Sequence, residues 1–162
     1  MNSLALNQNQ TLLASGSSDE KVIVWKLHKN SPLQTLTVDS PVEEVKFSPS
    51  EAHMLASIDL RGELRLWEAV SGVCVQVVKC ENYLLGSNRY DKNYMNFSPN
   101  GRFLMCRGVQ VKVFKVKAGT LSLQDAALNT GGEMVCWNSN SNKLAIVTYN
   151  NAESSEVTIF DL

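Results

Sequence analysis

Few residues in this chain have the side chains that metal or nucleophilic chemistry needs. The two histidines, His28 and His53, lie in separate turn-like segments, and neither has a cysteine near it in sequence. A zinc site needs clustered imidazole, thiolate or carboxylate ligands, so we expect both histidines in solvent-exposed turns and no metal ion. No motif of the GxSxG type places a serine as a nucleophile, and we predict no catalytic residues.

The cysteines form neither a CxxC pair nor a regular framework. They are Cys74, Cys80, Cys106 and Cys136. The N-terminus, Met1 to Asn7, has no basic region and no long apolar run, so it lacks the pattern of a secretory signal peptide. Because disulfides are rare in the cytosol and nucleus, the sequence predicts reduced thiols in an intracellular protein, with the cytoplasm favoured over the nucleus.

Three short segments have compositions that phosphate or nucleic-acid binding could use. Gly131-Gly132 lacks the GxGxxG or GKS/T context of a phosphate loop, so we expect a flexible turn and no nucleotide cofactor. Ser15 to Ser18 is typical of a turn between strands. Lys112 to Lys117 alternates basic and apolar residues. In a strand this alternation puts the lysines on a solvated face and the valine and phenylalanine side chains in the core.

The overall charge balance argues against two classes of partner. The chain has 162 residues, with 15 basic and 16 acidic side chains and a net charge of −1. Direct binding of many phosphates normally requires an excess of lysine and arginine. Nucleic acid is therefore not favoured as a partner. No membrane partner is expected either, because no run of about 18 apolar residues occurs.

The strongest pattern in the sequence is an internal repeat. Four apolar runs each close on an aromatic residue, and these residues are Trp25, Trp67, Phe114 and Phe160, spaced by 42, 47 and 46 residues. Each unit contains short apolar or alternating runs separated by Gly, Ser, Pro, Asn and Asp, as in antiparallel strands joined by tight turns. The spacing is the length of one four-stranded propeller blade.

The repeat predicts an all-β chain of about four four-stranded antiparallel blades. Fourth strands fit Leu33–Val38 and Val73–Val78, and more weakly Leu121–Asp125. The predicted blades span residues 1–38, 39–79, 93–125 and 133–162, with a long connecting loop at 80–92. No segment has a sustained helical period.

The repeat resembles the WD-repeat β-propeller family. The best match is Leu13 to Leu27, and Val42 to Pro49 with Leu64 to Glu68 matches a second blade. The family's turn aspartate is matched only by Asp19, so the resemblance implies divergent blades held more by apolar packing than by a buried polar network. Rings of this family usually have seven blades. We therefore expect a partial ring whose remaining blades come from the same longer protein.

The resemblance implies a non-catalytic scaffold that docks a protein or peptide on the loop face of the propeller, within a multiprotein complex. Binding residues are expected on loops, and arginine and tyrosine are enriched at interface hot spots. The candidate protein-binding residues are Arg61, Arg107, Tyr83, Arg89 and Tyr90.

Two other functions stay open at this point. One is a regulatory propeller of a larger nucleotide-dependent switch protein, similar to those of apoptosome-forming proteins. A nucleotide-binding domain in the longer chain would distinguish it. The other is an enzyme acting in the central channel, and the sequence holds no cluster of acidic or histidine residues that favours it.

Overall fold

The structure, a computed structural model, is all-β. It describes residues 1–29, 31–80, 94–108, 110–117, 120–128, 134–149 and 155–162, and these residues contain strands and turns but no helix. No helix able to cross a membrane is found in these ranges. The strands are β1 (Ser3–Leu6), β2 (Leu12–Gly16), β3 (Lys21–Lys26), β4 (Ser31–Thr37), β5 (Val42–Phe47), β6 (Met54–Asp59), β7 (Glu63–Glu68), β8 (Val73–Lys79), β9 (Met95–Phe97), β10 (Phe103–Arg107), β11 (Val111–Lys117), β12 (Thr120–Leu128), β13 (Met134–Trp137), β14 (Lys143–Tyr149) and β15 (Ser155–Asp161).

The strands form four consecutive antiparallel sheets. Three sheets have four strands each, in chain order: β1–β4, β5–β8 and β9–β12. The fourth has three strands in the described residues, β13–β15. We call these sheets blades 1 to 4. The predicted fold class is confirmed, and the weak candidate strand at Leu121–Asp125 lies within β12.

The first turn of each blade is capped by a polar side chain that directly follows the first strand. In blade 1, Oδ1 of Asn7 accepts the amide protons of Thr11 and Leu12, both at 2.9 Å. Asn138 makes the equivalent pair of hydrogen bonds in blade 4, and the hydroxyls of Ser48 and Ser98 cap the turns of blades 2 and 3. Asn and Ser suit these positions because their short side chains reach nearby backbone amides. The caps fix where β2, β6, β10 and β14 begin.

A tryptophan on the third strand binds a serine on the second strand in blades 1 and 2. Nε1 of Trp67 donates to Oγ of Ser57 at 2.8 Å, and both side chains are buried. The equivalent pair, Trp25 and Ser15, is joined at 3.2 Å. The segment Ser15 to Ser18 therefore ends β2 and enters a turn, as predicted, and Ser15 is a structural hydrogen-bond acceptor.

Apolar side chains fill the spaces between neighbouring blades. One cluster joins blades 1 and 2 and includes Val24 and Leu55, a second joins blades 2 and 3 and includes Leu66 and Leu104, and a third joins blades 3 and 4. The blades also approach closely at Gly16, where a Cβ would lie 2.6 Å from Cγ1 of Val42. Such contact leaves no room for a side chain, which explains a glycine at the end of β2.

A buried carboxylate joins the innermost strands of blades 2 and 3. Oε2 of Glu44, on β5, accepts the amide protons of Tyr94 and Met95, both at 2.9 Å. Its Oε1 lies 3.2 Å from Nζ of Lys46. Burial raises the pKa of Glu44, and Lys46 and the two backbone hydrogen bonds partly offset that rise.

A disulfide also joins blades 2 and 3. Cys80, just after β8, is bonded to Cys106 on β10, and both residues are buried. The expectation of four reduced thiols is therefore wrong for this pair, whereas Cys74 and Cys136 are free and exposed. The two bonded residues are 26 positions apart, and pairing at that range depends on how the blades stack, which residue spacing does not reveal.

The lysine-rich strand β11 has the orientation expected of a strand in a stacked sheet. Val111, Val113 and Phe114 are buried, and Lys115 and Lys117 are exposed. In the Lys112–Lys117 segment, the valine and phenylalanine side chains therefore face the core and these two lysines face solvent, as the alternation predicts.

Candidate functional site

The turns between second and third strands lie at one end of the blades, together with the connections between blades. We call this end the upper face. Hydrogen bonds between its segments define it: Val38 donates to the carbonyl of Glu20, Val42 to Ser17 and Leu60 to Pro41, at 2.8 to 3.0 Å. Propeller strands act as a rigid frame and present recognition residues on such turns. The predicted binding residues are therefore located relative to this upper face.

A buried ionic network supports the upper face of blade 2. Nη1 of Arg65, on β7, lies 2.8 Å from Oδ2 of Asp59, and the two residues are 7% and 2% exposed. Nη2 of the same guanidinium contacts Glu63 and, at 3.1 Å, Asp39 from the connection between blades 1 and 2. Such a group needs several acceptors when it is buried, and three carboxylates supply them.

This network is a set of polar contacts in blade 2 that does not use the turn position at which Asp19 matches the family. Asp19 is exposed, and its amide donates to Oγ of Ser17 at 3.4 Å. Asp59, two residues earlier in the repeat than the Arg61 slot, caps the turn of blade 2 instead. The repeat pattern does not identify Asp59 as the capping residue, because its oxygen reaches the turn from a different position along the strand.

Arg61 lies at the tip of that capped turn. Oδ1 of Asp59 accepts the amide protons of Arg61 at 3.0 Å and of Glu63 at 2.9 Å. The next residue, Gly62, has φ of 75°, and its Cβ would lie 2.5 Å from the carbonyl oxygen of Cys80, so only glycine fits. The backbone of Arg61 is therefore firmly held while its side chain is exposed to solvent. This arrangement places the Arg61 side chain in solvent on a fixed backbone, where it can reach an incoming carboxylate or carbonyl.

Arg107 lies at the corresponding end of blade 3. It is half-buried, its guanidinium carbon is 5.9 Å from the ring centre of Tyr94, and its amide donates to the carbonyl of Tyr94. The cation–π contact orients the side chain. The other candidates, Tyr83, Arg89 and Tyr90, lie outside the described residues. The structure thus places Arg61, in a turn of blade 2, and Arg107, the last residue of β10, at the same end of consecutive blades.

The two histidines lie in exposed turns, as predicted. His28 follows β3, and His53 precedes β6 with Nδ1 3.9 Å from Oε1 of Glu68. Across the part of the chain that the structure describes, no group of three or more His, Cys, Asp or Glu side chains could hold a metal ion.

Comparisons with known proteins agree with this architecture. The family described as WD domain, G-beta repeat matches residues 1–26. THO complex subunit 3 of Arabidopsis thaliana is 32% identical over 84 residues, 49% of this chain and 27% of that protein. A periodic tryptophan protein 2 homolog of Schizosaccharomyces pombe is 31% identical over 93 residues, 56% of this chain and 11% of that protein.

A solved structure extends the similarity over almost the whole chain. A chain in the crystal structure of the mitotic checkpoint complex superposes with a TM-score of 0.72 and 18% identity, covering 99% of this chain and 48% of that one. The chain thus spans about half of that structure and about a quarter or less of these two curated relatives. Stacked antiparallel blades of this kind define a β-propeller protein. The sequence matches add a similarity to WD-repeat proteins over the matched parts of the chain.

Proposed function

We propose that this chain is part of a non-catalytic protein-interaction scaffold that docks a protein or peptide on its upper face. The observation that carries the proposal is the held turn of Arg61. Its backbone is fixed by the buried Asp59–Arg65 pair while the side chain stays in solvent. An arginine held this way loses less conformational entropy on binding than one on a mobile loop.

The names of similar proteins support the scaffold class. One relative is a subunit of the THO complex, and the solved structure is that of the mitotic checkpoint complex. We infer from these names that a multiprotein complex is the setting of this chain too. Arg107 on the next blade would extend the docking surface, and Tyr83, Arg89 and Tyr90 in the connection between these blades are proposed to join it.

The two ends of the array are proposed to contact further blades of the same longer protein. Leu4 and Leu6 are exposed on β1, while Ala5 between them packs toward blade 2. At the other end, Val157 and Ile159 are exposed on β15, while Phe160 packs toward blade 3. In a closed ring both faces would be covered. Binding of a dye that fluoresces on apolar surfaces should fall when the flanking sequence is included, and equal binding would contradict this arrangement.

Affinity purification with quantitative mass spectrometry tests the docking surface. The wild-type chain is compared with an Arg61→Glu, Arg107→Glu double variant and with Lys29→Glu, an exposed charge reversal on the opposite end of blade 1. We expect proteins recovered with the wild type to be retained by Lys29→Glu and lost from the double variant. Because Arg107 contacts Tyr94, the melting temperature of each variant must match the wild type. Equal recovery by folded wild type and double variant would contradict the proposal.

A further inference from the structure

Blade 2 contains a cavity at the end opposite the upper face. It has a volume of about 320 Å³ and lies between the β5–β6 turn, the end of β7 and the middle of β8. Its lining residues are Glu51, Ala52, His53, Met54, Leu66, Trp67, Glu68 and Val75. Small-ligand pockets span roughly 300–1,000 Å³. This cavity lies at the lower end of that range, which leaves room for one large side chain.

The cavity is apolar at its base and acidic at its rim. Met54, Leu66 and Trp67 are buried in the blade, and Val75 is 47% exposed. Glu51 and His53 are exposed, and Glu68 is half-buried. Two carboxylates beside one imidazole give the entrance a negative potential at neutral pH.

The cavity walls are held by backbone hydrogen bonds. The amide of Ala69 donates to the carbonyl of His53 at 2.8 Å, and the amide of Met54 donates to the carbonyl of Glu51 at 3.0 Å. The carboxylate of Glu68 accepts the amide proton of Ser71 at 2.6 Å. Hydrogen bonding from Ser71 also lowers the pKa of Glu68, so this carboxylate is ionised at neutral pH. A preformed site of this kind has little ordering cost on binding.

Blades 1 and 2 differ in how the bulge residue of the fourth strand packs. The pairing of the last two strands shifts by one residue at the same place in both blades, between Val24 and Trp25 and between Leu66 and Trp67. The unpaired residue at this bulge is Leu33 in blade 1 and Val75 in blade 2. Leu33 packs against the apolar cluster between blades 1 and 2, whereas Val75 is half-exposed beside the cavity.

We propose that this cavity of blade 2 is a second docking site, for an extended peptide segment in which a large apolar side chain is followed closely by lysine or arginine. The apolar side chain enters between Trp67 and Val75, and the basic group pairs with Glu51 and Glu68 at the rim. Charge complementarity selects this occupant, because an acidic segment would meet two carboxylates. The site is separate from the upper face and goes beyond the scaffold function proposed above.

Selection from a displayed library of random peptides tests this site. The 162-residue chain is the bait, and the Val75→Lys variant is the counter-selection bait, since lysine there places a positive charge over the cavity. We expect enriched peptides to share an apolar residue close to a basic one. Enrichment of peptides without that pair, or no enrichment over Val75→Lys, would overturn the proposal.

Affinity of a selected, fluorescently labelled peptide is then measured by anisotropy on matched variants. Val75→Lys and Glu51→Lys should each weaken binding by about tenfold or more, because each puts a positive charge beside the basic group. Val77→Lys, equally exposed on β8 but outside the cavity lining, and Asp19→Lys, on the upper face, should bind within about twofold of the wild type. Equal loss in the matched controls would refute the site.

The same peptide separates this proposal from the proposed function. The Arg61→Glu, Arg107→Glu double variant should bind it like the wild type, since both arginines are on the upper face. If the peptide depends on those arginines, the cavity proposal is wrong and the upper face is the binding surface. Concentration-dependent dimerisation that Val75→Lys abolishes, without enrichment of any peptide, would mean that a second copy occupies the cavity, which also contradicts the proposal.

Discussion

Gln34 and Gln76 occupy equivalent positions on β4 and β8, and each reaches across to the following blade. Nε2 of Gln34 donates to the carbonyl oxygen of Val70 at 2.8 Å. Nε2 of Gln76 donates to the carbonyl oxygen of Leu121 at 3.0 Å, and its Oε1 accepts the amide proton of Leu121 at 2.6 Å. Glutamine side chains thus join the outer parts of successive blades, beside the apolar clusters between those blades.

We expect Gln76→Ala to destabilise the chain more than Gln34→Ala. The first substitution leaves both an amide and a carbonyl of Leu121 without their partner, and the second leaves one carbonyl of a more exposed residue. Net losses of about 2 and about 1 kcal/mol in the free energy of unfolding follow. Urea denaturation of the two variants measures this order. A larger loss for Gln34→Ala would show that the two hydrogen bonds of Gln76 do not stabilise the chain more than the single one of Gln34.

Asp59→Asn should be strongly destabilising, and Asp19→Asn should not be. The first removes the charge that Arg65 contacts at 2.8 Å in a buried site, and breaking such a pair costs about 3 kcal/mol. The exposed Asp19 should change the free energy of unfolding by less than about 0.5 kcal/mol. Thermal and urea unfolding of both variants provide the comparison. Similar losses at the two positions would mean that the blade 2 network is not needed for stability.

Loss of the Cys80–Cys106 disulfide should destabilise the chain by roughly 3 kcal/mol, the value expected for a closed loop of this length. A Cys80→Ser, Cys106→Ser double variant is compared with a Cys74→Ser, Cys136→Ser variant, which keeps the bond and removes the free thiols. Urea unfolding with and without a reducing agent should show a reductant effect in the second variant only. An equal reductant effect in the first variant, which lacks this disulfide, would show that the Cys80–Cys106 bond is not its source.

The buried carboxylate of Glu44 should give the stability a characteristic pH dependence. Burial raises its pKa in the folded chain above the ordinary 4.5, so the folded state holds this proton more tightly than the unfolded state. Its contribution is complete below about pH 4.5 and is lost as the pH rises through the folded-state pKa. The stability of Glu44→Gln relative to wild type should therefore increase with pH in this window, measured by urea unfolding at successive pH values. A constant difference would contradict the raised pKa.

The repeat made the strands predictable because each blade is a local structure. The closing aromatics Trp25, Trp67, Phe114 and Phe160 all lie on the third strand of their blade, and the polar residue after each first strand caps the next turn. These features depend on residues within a few positions of one another. Turn chemistry and strand periodicity therefore report them directly.

The contacts between blades could not be derived in the same way. Arg65 has the same place in its repeat as the apolar Ile23, and its partner Asp39 comes from the connection before its own blade. Cys80 and Cys106 meet only when two complete blades are stacked. The cavity beside Val75 depends on how a bulge residue packs, which a strand pattern does not specify. Arg61 was identified from its turn, but the support beneath it required the three-dimensional arrangement.

The stacking of blades also has a kinetic consequence. Blade 4 contacts the rest of the chain only on one side within the described residues, through a small apolar cluster and the hydrogen bonds of Trp137 and Ser141 to blade 3. Blades 2 and 3 have a neighbour on each side. In a linear array of this kind, opening costs least at a terminal unit. When the 162-residue chain is taken by itself, fraying should therefore begin at a terminal blade and travel inward, so proteases will cut blade 4 before blades 2 and 3, and contact with a further blade would remove this difference.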